Sequence, residues 1–457
     1  MKSLFKKLNQ TKIFRDLNEQ EFSWVLYDVG NSAYTMLACS LIPIWFKDIA
    51  IGTAPGQITS DRATAYWALT SSIVTIIVAL IGPIFATMTD KKDTKKIFFS
   101  TSVAIGVICC VLNGFTHSWL FFFVMYIATK VAYSVSLTFY DSMLNDVTTD
   151  ERSDVVSSYG YAWGYVGSCI PFLLALLAYI CTPSADILPS PFLSNSLGRI
   201  IGIIITAVWW LIVTIPLIKN YKQINYVDDK DRTSISNVFK TLGKSFKKIA
   251  TQDKKVFYFL IAFFLYIDGV GTIIENCINL GTDLGLPKVG QIVFLLLTQI
   301  VAWGGSLVFA KLSKKHDTVY LIKICILGYA IVCLYALTLQ QLWQFAIMAF
   351  GVGCFQGSIQ SLSRSYYSRI IPDETSGEYF GIYDIFSKGA SFLGSFVLAV
   401  IKLIGEKTNN VFNIFGFQIR SINLAVGMLA LFFILGYIII GIADKCPQSE
   451  ESKKDIQ

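Results

Sequence analysis

The sequence has 457 residues, of which 54% are hydrophobic and only 15% are charged. This balance lies outside the range of water-soluble domains, and it indicates that lipid covers most of the surface. One helical span requires roughly 20 apolar residues, so the chain has room for many spans and not for a large soluble domain. The net charge of +7 comes from basic residues clustered in short loops between apolar segments, which indicates membrane topology and predicts no nucleic-acid partner.

Apolar runs of spanning length predict twelve transmembrane helices. They cover 24–46, 63–88, 97–116, 118–143, 155–182, 198–218, 256–279, 289–311, 319–338, 342–365, 379–404 and 421–443. The fold class predicted is therefore all-α and integral to the membrane. Two six-helix bundles, 24–218 and 256–443, lie between a basic segment at 1–23, a central loop at 219–255 and a tail at 444–457.

Basic residues mark alternate connections between the predicted spans, and the opposite connections are nearly neutral. Since loops rich in lysine and arginine stay in the cytoplasm, we expect both termini there. The N-terminal segment lacks a long apolar core, so no cleaved signal peptide is expected. The basic groups before the first span and after the second and eighth spans are Lys6, Lys7, Lys12, Arg15, Lys91, Lys92, Lys95, Lys96, Lys311, Lys314 and Lys315.

The lysine-rich connection at 219–255 divides the chain into two sets of six spans. A six-plus-six plan with a basic central loop is typical of secondary transporters built from repeats. The same loop also fits a short amphipathic linker helix on the membrane surface, which is compatible with that plan.

The first span carries Asp28, Asn31 and Thr35 at i, i+3 and i+7, which places them on one helical face. A charged group at membrane depth costs a few kcal/mol, so Asp28 and Asn31 are candidates for lining a cavity. The alternative is an acidic group that stabilises the helix N-terminus at the interface, because Asp28 lies only ~6 Å past Trp24 along the helix.

The seventh span carries a polar stripe on an otherwise apolar helix, formed by Asp268, Thr272, Glu275 and Asn279. Asp268 lies ~18 Å into this helix, close to the middle of the bilayer. Asp268 and Glu275 are therefore candidates for a cavity or a proton relay. A structural hydrogen bond between helices is the alternative.

The fourth span places Lys130 ~16 Å below Trp119, again near the middle of the membrane. Its ammonium is a candidate for binding a carboxylate or phosphate group of a solute, unless an acidic residue such as Asp268 neutralises it permanently. Further polar residues follow on the same face of the span: Ser134, Thr138, Asp141 and Asn145.

Two later spans add candidates. Gln356 and Gln360 in the tenth span are predicted to line a cavity. Asp384 and Lys388 in the eleventh span form an i,i+4 pair that has either a coupling role or a structural one. Between these spans, the charged groups expected to anchor the interface or to form gate salt bridges are Arg364, Arg369 and Glu378.

No catalytic motif accompanies these residues: the sequence has no P-loop, HExxH or GxSxG motif, and only two histidines, His117 and His316, both in predicted loops. The ten cysteines show no CxxC spacing and no Cys/His ligand pattern. We therefore predict that the protein is not an enzyme and uses no cofactor or metal, and that a gradient of solute or ions supplies the energy.

Two segments carry a family resemblance. The stretch from Tyr27 to Phe46, YDVGNSAYTMLACSLIPIWF, resembles the first helix of the autophagy-linked vacuolar amino-acid effluxer family and its bacterial relatives, a branch of the major facilitator superfamily. The stretch from Ile370 to Phe396 resembles a second signature of that family. The loop after the second span resembles the superfamily pattern only in part. It keeps Asp90, Lys91 and Lys95, but Asp93 stands where the pattern usually has glycine, and Ala86 stands at its leading glycine.

This resemblance implies two six-helix bundles around a central cavity, alternating access, and amino-acid export from a vacuole in eukaryotic members. We expect a gradient-driven transporter of a small polar solute, an amino acid or another, with proton coupling as a hypothesis. The competing classes are a non-transporting sensor or scaffold on the same fold and a lipid or drug exporter. The expected partners are the bilayer, the solute and protons. We expect a monomer in a bacterial plasma membrane, or in the vacuolar membrane of a eukaryote.

Overall fold

A computed structural model describes residues 17–52, 56–185, 187–228, 235–283, 288–406, 411–414 and 417–448. Its α-helices are α1 (Glu19–Ala50), α2 (Ser60–Met88), α3 (Lys95–Phe115), α4 (Trp119–Ser142), α5 (Leu144–Val147), α6 (Asp150–Ile180), α7 (Asn195–Asn220), α8 (Ile235–Thr251), α9 (Lys254–Asp283), α10 (Lys288–Leu312), α11 (Thr318–Ala336), α12 (Leu342–Ile370), α13 (Ser376–Glu406), α14 (Ser421–Met428) and α15 (Ala430–Lys445). Short 3-10 helices cover Pro183–Ala185 and Asp373–Thr375.

Eleven helical segments among the described residues are long and apolar enough to cross a membrane. The predicted second span, 63–88, lies in α2, a continuous helix of 29 residues. Its described apolar stretch, Ser72–Met88, is shorter than the other eleven. The multi-pass helical fold is thus confirmed, while the count of twelve spans stays a prediction. Exposed apolar side chains such as Ile76 and Leu80 lie on the outer surface, where lipid would solvate them.

The central loop contains the helix α8, in agreement with the amphipathic linker helix considered for this loop. Two features depart from the sequence-based outline. The predicted last span is divided at Leu429 into α14 and α15. An antiparallel hairpin of β1 (Val411–Ile414) and β2 (Phe417–Arg420) lies between α13 and α14. Its two strands have four residues each and are far shorter than a membrane span, so the apolar pattern does not indicate them.

Side-chain caps explain why some helices begin earlier than hydropathy predicts. The Asn18 side chain accepts a hydrogen bond from the Glu21 amide at 2.8 Å, and the Glu21 carboxylate accepts one from the Asn18 amide at 2.8 Å. This capping box satisfies two amides at the start of α1 that have no partner within the helix. α1 therefore begins at Glu19, several residues before its apolar run.

The chain forms two compact units. The first contains Met1–Thr149, Trp163–Val238 and Glu374–Gly381, and the second contains Asp150–Ala162, Phe239–Asp373 and Ile382–Gln457. Each unit therefore includes a short segment from the other half of the sequence. In the first unit α1 packs on α7, α3 on α4 and α7, and α2 on α4. In the second unit α9 packs on α15, α11 on α12 and α15, and α10 on α12. The two units therefore repeat the same set of packed helix pairs, which is typical of folds built from repeats.

Close packing of α10 on α12 depends on glycine. A Cβ atom at Gly305 would lie 2.4 Å from the Cys354 carbonyl oxygen, which is backbone and cannot rotate away. A Cβ atom at the adjacent Gly304 would meet nothing within 4 Å.

We therefore expect Gly305→Ala to lower stability by about 1–3 kcal/mol through overpacking. Gly304→Ala is the matched control, and we expect it to be neutral or stabilising by up to about 1 kcal/mol, since alanine favours helix. Thermal unfolding of the two purified variants in detergent measures the difference. Equal melting temperatures would show that Gly305 is not required for the packing of α10 on α12.

Candidate functional site

The polar face of α1 forms as the spacing predicts. The Asn31 amide nitrogen donates to the Asp28 carboxylate at 3.2 Å, and both side chains are buried in the first unit. One turn further along α1, Thr35 shares a hydrogen bond of 2.7 Å with the hydroxyl group of Tyr133 on α4. Sequence reasoning missed Tyr133, because a tyrosine in an apolar helix gives no polar signal.

Lys130 lies one turn before Tyr133 on α4, and its ammonium lies 5.9 Å from the centre of the Tyr133 ring. Asp28 lies on the face of α1 whose Thr35 bonds to the Tyr133 hydroxyl. The first unit thus places a half-buried cation one turn from Tyr133 and a buried carboxylate on the helix face that bonds to this tyrosine. Asp141 is three turns further along α4, ~16 Å from Lys130 at 1.5 Å per residue, so the predicted stripe does not form a single centre.

A tyrosine–serine hydrogen bond recurs in both units. Tyr27 on α1 bonds to Ser136 on α4 at 2.7 Å, and Tyr266 on α9 bonds to Ser363 on α12 at 2.7 Å. All four side chains are buried. Each bond joins the first and fourth large helices of its half, and each tyrosine precedes an acidic residue by one or two positions. These bonds therefore fix the helices that carry the predicted acidic groups.

The second unit buries Asp268 and Thr272 on one face of α9. A Cβ atom at Gly394 of α13 would lie 3.1 Å from the Asp268 carboxylate and 2.2 Å from the Thr272 hydroxyl. The absence of a side chain at Gly394 therefore lets α13 approach the polar stripe closely. Glu275 continues this stripe in sequence, but its side chain lies outside the described residues.

The remaining candidates form contacts within their own helices. The Gln360 amide donates to the Gln356 carbonyl at 3.0 Å, one turn away on α12, and Gln356 is buried. Lys388 and Asp384 form the expected i,i+4 ion pair on α13, with both side chains partly buried. The predicted roles of all ten candidates stay predictions.

A second polar region of the first unit surrounds Asp90, at the end of α2. Its carboxylate accepts hydrogen bonds from the backbone amides of Gly377 at 2.7 Å and Glu378 at 2.9 Å. A carboxylate at the start of α13 satisfies amides without helical partners and stabilises the positive end of the helix dipole. Glu378, predicted to anchor the interface, participates through its backbone.

The loop after Asp90 explains one departure from the family pattern. Asp93 has a φ angle of 60°, in the left-handed region that glycine adopts without a steric cost. Aspartate tolerates this region better than most residues. The loop therefore keeps its left-handed turn although the usual glycine is absent.

A fully buried ion pair lies beside this loop. The Lys95 ammonium lies 3.2 Å from the Asp146 carboxylate, and both side chains are completely shielded from solvent. Lys95 also donates to the Ser376 hydroxyl at 2.9 Å and to the Ser142 carbonyl at 3.3 Å. Sequence reasoning identified Lys95 as a topology marker and as a kept position of the superfamily loop, and it missed Asp146, which comes just after a predicted span.

Asp146 also holds the start of the central loop. Its carboxylate accepts hydrogen bonds from the amides of Ile224 at 3.1 Å and Asn225 at 2.8 Å, and from the Tyr221 hydroxyl. Burial and the nearby Asp146 carboxylate raise the pKa of Tyr221 well above its ordinary value. The Tyr221 hydroxyl therefore stays protonated and donates to Asp146.

In the second unit, Asp154 of α6 is the corresponding buried acid. It accepts from the Arg369 guanidinium at 3.0 Å and from the hydroxyl groups of Thr318 and Ser365. Arg369 thus forms one of the predicted salt bridges. Sequence reasoning missed Asp154, because it lies in a helical start rich in charged and polar residues.

Arg364, on the same helix as Arg369, is also buried. Its guanidinium donates to the Ser157 hydroxyl at 3.0 Å and to the Ser157 carbonyl at 3.2 Å, and it lies 4.6 Å from the centre of the Tyr161 ring. Arg364 therefore binds the start of α6 through hydrogen bonds and a cation–π contact.

Breaking the Lys95–Asp146 pair should be costly. We expect Lys95→Met or Asp146→Asn each to destabilise the protein by about 3–5 kcal/mol, because each leaves a buried charge without its partner. The exposed pair Lys323–Asp444, 3.3 Å apart, is the matched control, and its loss should cost under about 1 kcal/mol. Unfolding in detergent checks both values. If Lys95→Met is as stable as Lys323→Met, the buried pair does not stabilise the fold.

Comparison with known proteins supports a transporter of the major facilitator type. Residues 18–435 match the family model described as "Vacuole effluxer Atg22 like". The chain is 36% identical over 448 residues to an uncharacterized MFS-type transporter, YxiO, of Bacillus subtilis, covering 97% of this chain and 98% of that protein. It is 23% identical to autophagy-related protein 22 of Kluyveromyces lactis, over 58% of this chain and 56% of that protein.

Solved structures share the fold at low sequence identity. The proton:xylose symporter XylE superposes with a TM-score of 0.73 at 11% identity, over 98% of this chain and 100% of that chain. The transporter FucP superposes with a TM-score of 0.67 at 15% identity, over 93% and 98%. Family and fold are therefore those of membrane transporters and not of enzymes. The chain belongs to the Atg22-like vacuole effluxer family of the major facilitator superfamily.

Proposed function

We propose that the protein is a secondary active transporter that carries a small zwitterionic solute, of the amino-acid class, by alternating access. One observation carries this proposal: in the first unit the polar face of α1 that carries Asp28 bonds through Thr35 to Tyr133, and the Lys130 ammonium lies 5.9 Å from the centre of the same tyrosine ring. A zwitterion presents an ammonium and a carboxylate, so it requires both an anionic and a cationic group for recognition. The matching family model describes an effluxer, which agrees with solute transport.

We further propose that protons drive the transport. The buried acids Asp28 and Asp268 lie on α1 and α9, and a tyrosine–serine bond fixes each of these helices. A carboxyl group at membrane depth exchanges its proton when its access to water changes, which is a common basis of coupling. Glu275, Asp384 and Lys388 are further candidates for this role.

The proposed setting is a bacterial plasma membrane with both termini in the cytoplasm. The nearly full-length similarity to a Bacillus subtilis protein favours a bacterial membrane over a vacuole. A monomer with bundles 24–218 and 256–443 is the expected functional form. The lysine-rich loops at the ends of α2 and α10 favour this orientation.

Substrate class can be tested by counterflow in proteoliposomes. Vesicles loaded with one amino acid should accumulate labelled zwitterionic amino acids, and analogues that lack the amine or the carboxylate should compete about 10- to 100-fold more weakly. Lys130→Ala should reduce counterflow by a similar factor, whereas the exposed Lys311→Ala should not. Exchange of sugars or lipids in preference to zwitterions would contradict the proposal. Absence of any exchange by folded protein would favour a sensor or scaffold.

Proton coupling makes a separate prediction. Asp28→Asn or Asp268→Asn should abolish accumulation driven by a pH gradient but retain counterflow, because exchange requires no net proton movement. Asp444→Asn, at an exposed pair, is the control that should keep both activities. If both buried variants accumulate solute as the wild type does, protons do not couple through these residues.

A further inference from the structure

Helix α8 lies where the chain enters the membrane again. It ends at Thr251, and the spanning helix α9 begins at Lys254, so only two residues separate them. Such a short connection holds the C-terminal end of α8 at the membrane surface. α8 contains four lysines and no acidic residue.

The side chains of α8 divide into three faces. Leu242 and Ile249 are buried against the protein. Phe239 and Phe246, seven residues apart on one face, are 57% and 38% exposed. The third face is basic and carries exposed side chains at Lys240, Lys244 and Lys247.

These exposed groups have no partner in the described part of the chain. Lys240, Lys244 and Lys247 form no salt bridge and no side-chain hydrogen bond with any described residue. The two exposed phenyl rings are unfavourable in water, and the three ammonium groups beside them carry positive charge that no described residue neutralises. Together the phenyl rings and the ammonium groups complement a lipid surface, in which anionic headgroups lie above apolar acyl chains.

We propose that α8 docks on anionic phospholipids of the membrane in which the protein resides. Phe239 and Phe246 enter the boundary between headgroups and acyl chains, and the three lysines bind lipid phosphates. Each lysine near an anionic surface strengthens binding by about fivefold. The helix then anchors the central connection to the membrane through lipid as well as through α9.

Photocrosslinking in nanodiscs tests this surface with the full-length protein. A photoreactive benzoylphenylalanine takes the place of Phe239 or Phe246, in discs of phosphatidylcholine with a minority of phosphatidylglycerol. We expect lipid adducts at both positions, with a share of phosphatidylglycerol several-fold above its share in the disc. The same label in place of Leu431, an exposed residue of α15, should report the bulk composition.

The variant K240Q/K244Q/K247Q should return the share of phosphatidylglycerol to the bulk value while adducts persist. K311Q/K314Q/K315Q removes the same charge from another loop and should leave the enrichment intact. If the first variant does not fold, high salt should remove the enrichment in the wild type, since it screens exposed charges. Crosslinks to water-soluble groups or to a second copy of the chain would overturn the proposal. It would also be overturned by adducts of bulk composition, or by enrichment of phosphatidylglycerol that survives both lysine removal and high salt.

Discussion

The low polarity of lipid requires each backbone amide and each charged side chain within the spans to find a partner inside the protein. The helices satisfy the backbone within the spans, and at the ends of the spans buried acids accept hydrogen bonds from donors that the helices leave without partners. Asp90 and Asp146 in the first unit, and Asp154 in the second, each accept several hydrogen bonds from segments distant in sequence. These bonds explain why each unit includes a short segment from the other half of the sequence. Asp90 and Lys95 bind 374–381 in the first unit, and Arg364 and Arg369 bind 150–162 in the second.

Much of the fold could be predicted from the sequence because lipid imposes a simple rule on composition. Apolar runs of sufficient length located eleven described spans, and the periodicity of Asp28, Asn31 and Thr35 located a polar face that the structure contains. Helix ends were less predictable. The cap formed by Asn18 and Glu21 extends α1 beyond its apolar run. The helix α8 is too polar to resemble a span, so only its amphipathic character indicated a helix in the central loop.

The candidate site was predictable only where a charge interrupts an apolar run. Lys130 and Asp268 stand out for that reason, whereas Tyr133, Tyr27 and Tyr266 do not, although their hydroxyl groups connect helices. Asp146 and Asp154 were missed for a different reason. They lie at helix ends, where acidic residues are common and usually solvated, and only the tertiary structure shows that Lys95 and Arg369 bind them.

The two units repeat their framework but not their charges. When they are aligned by the tyrosine–serine bonds, Lys130 lies six residues before Ser136, and the uncharged Gly357 lies six residues before Ser363. The acidic residue directly follows Tyr27 in one unit, and it follows Tyr266 by two positions in the other, so the two carboxylates project from different sides of their helices. The frame is therefore repeated while its charges are not: at this position the first unit has a cation and the second has glycine. The paired charges on which the proposed zwitterionic substrate depends thus come from residues that the repeat does not copy, and the shared tyrosine–serine bonds alone do not specify them.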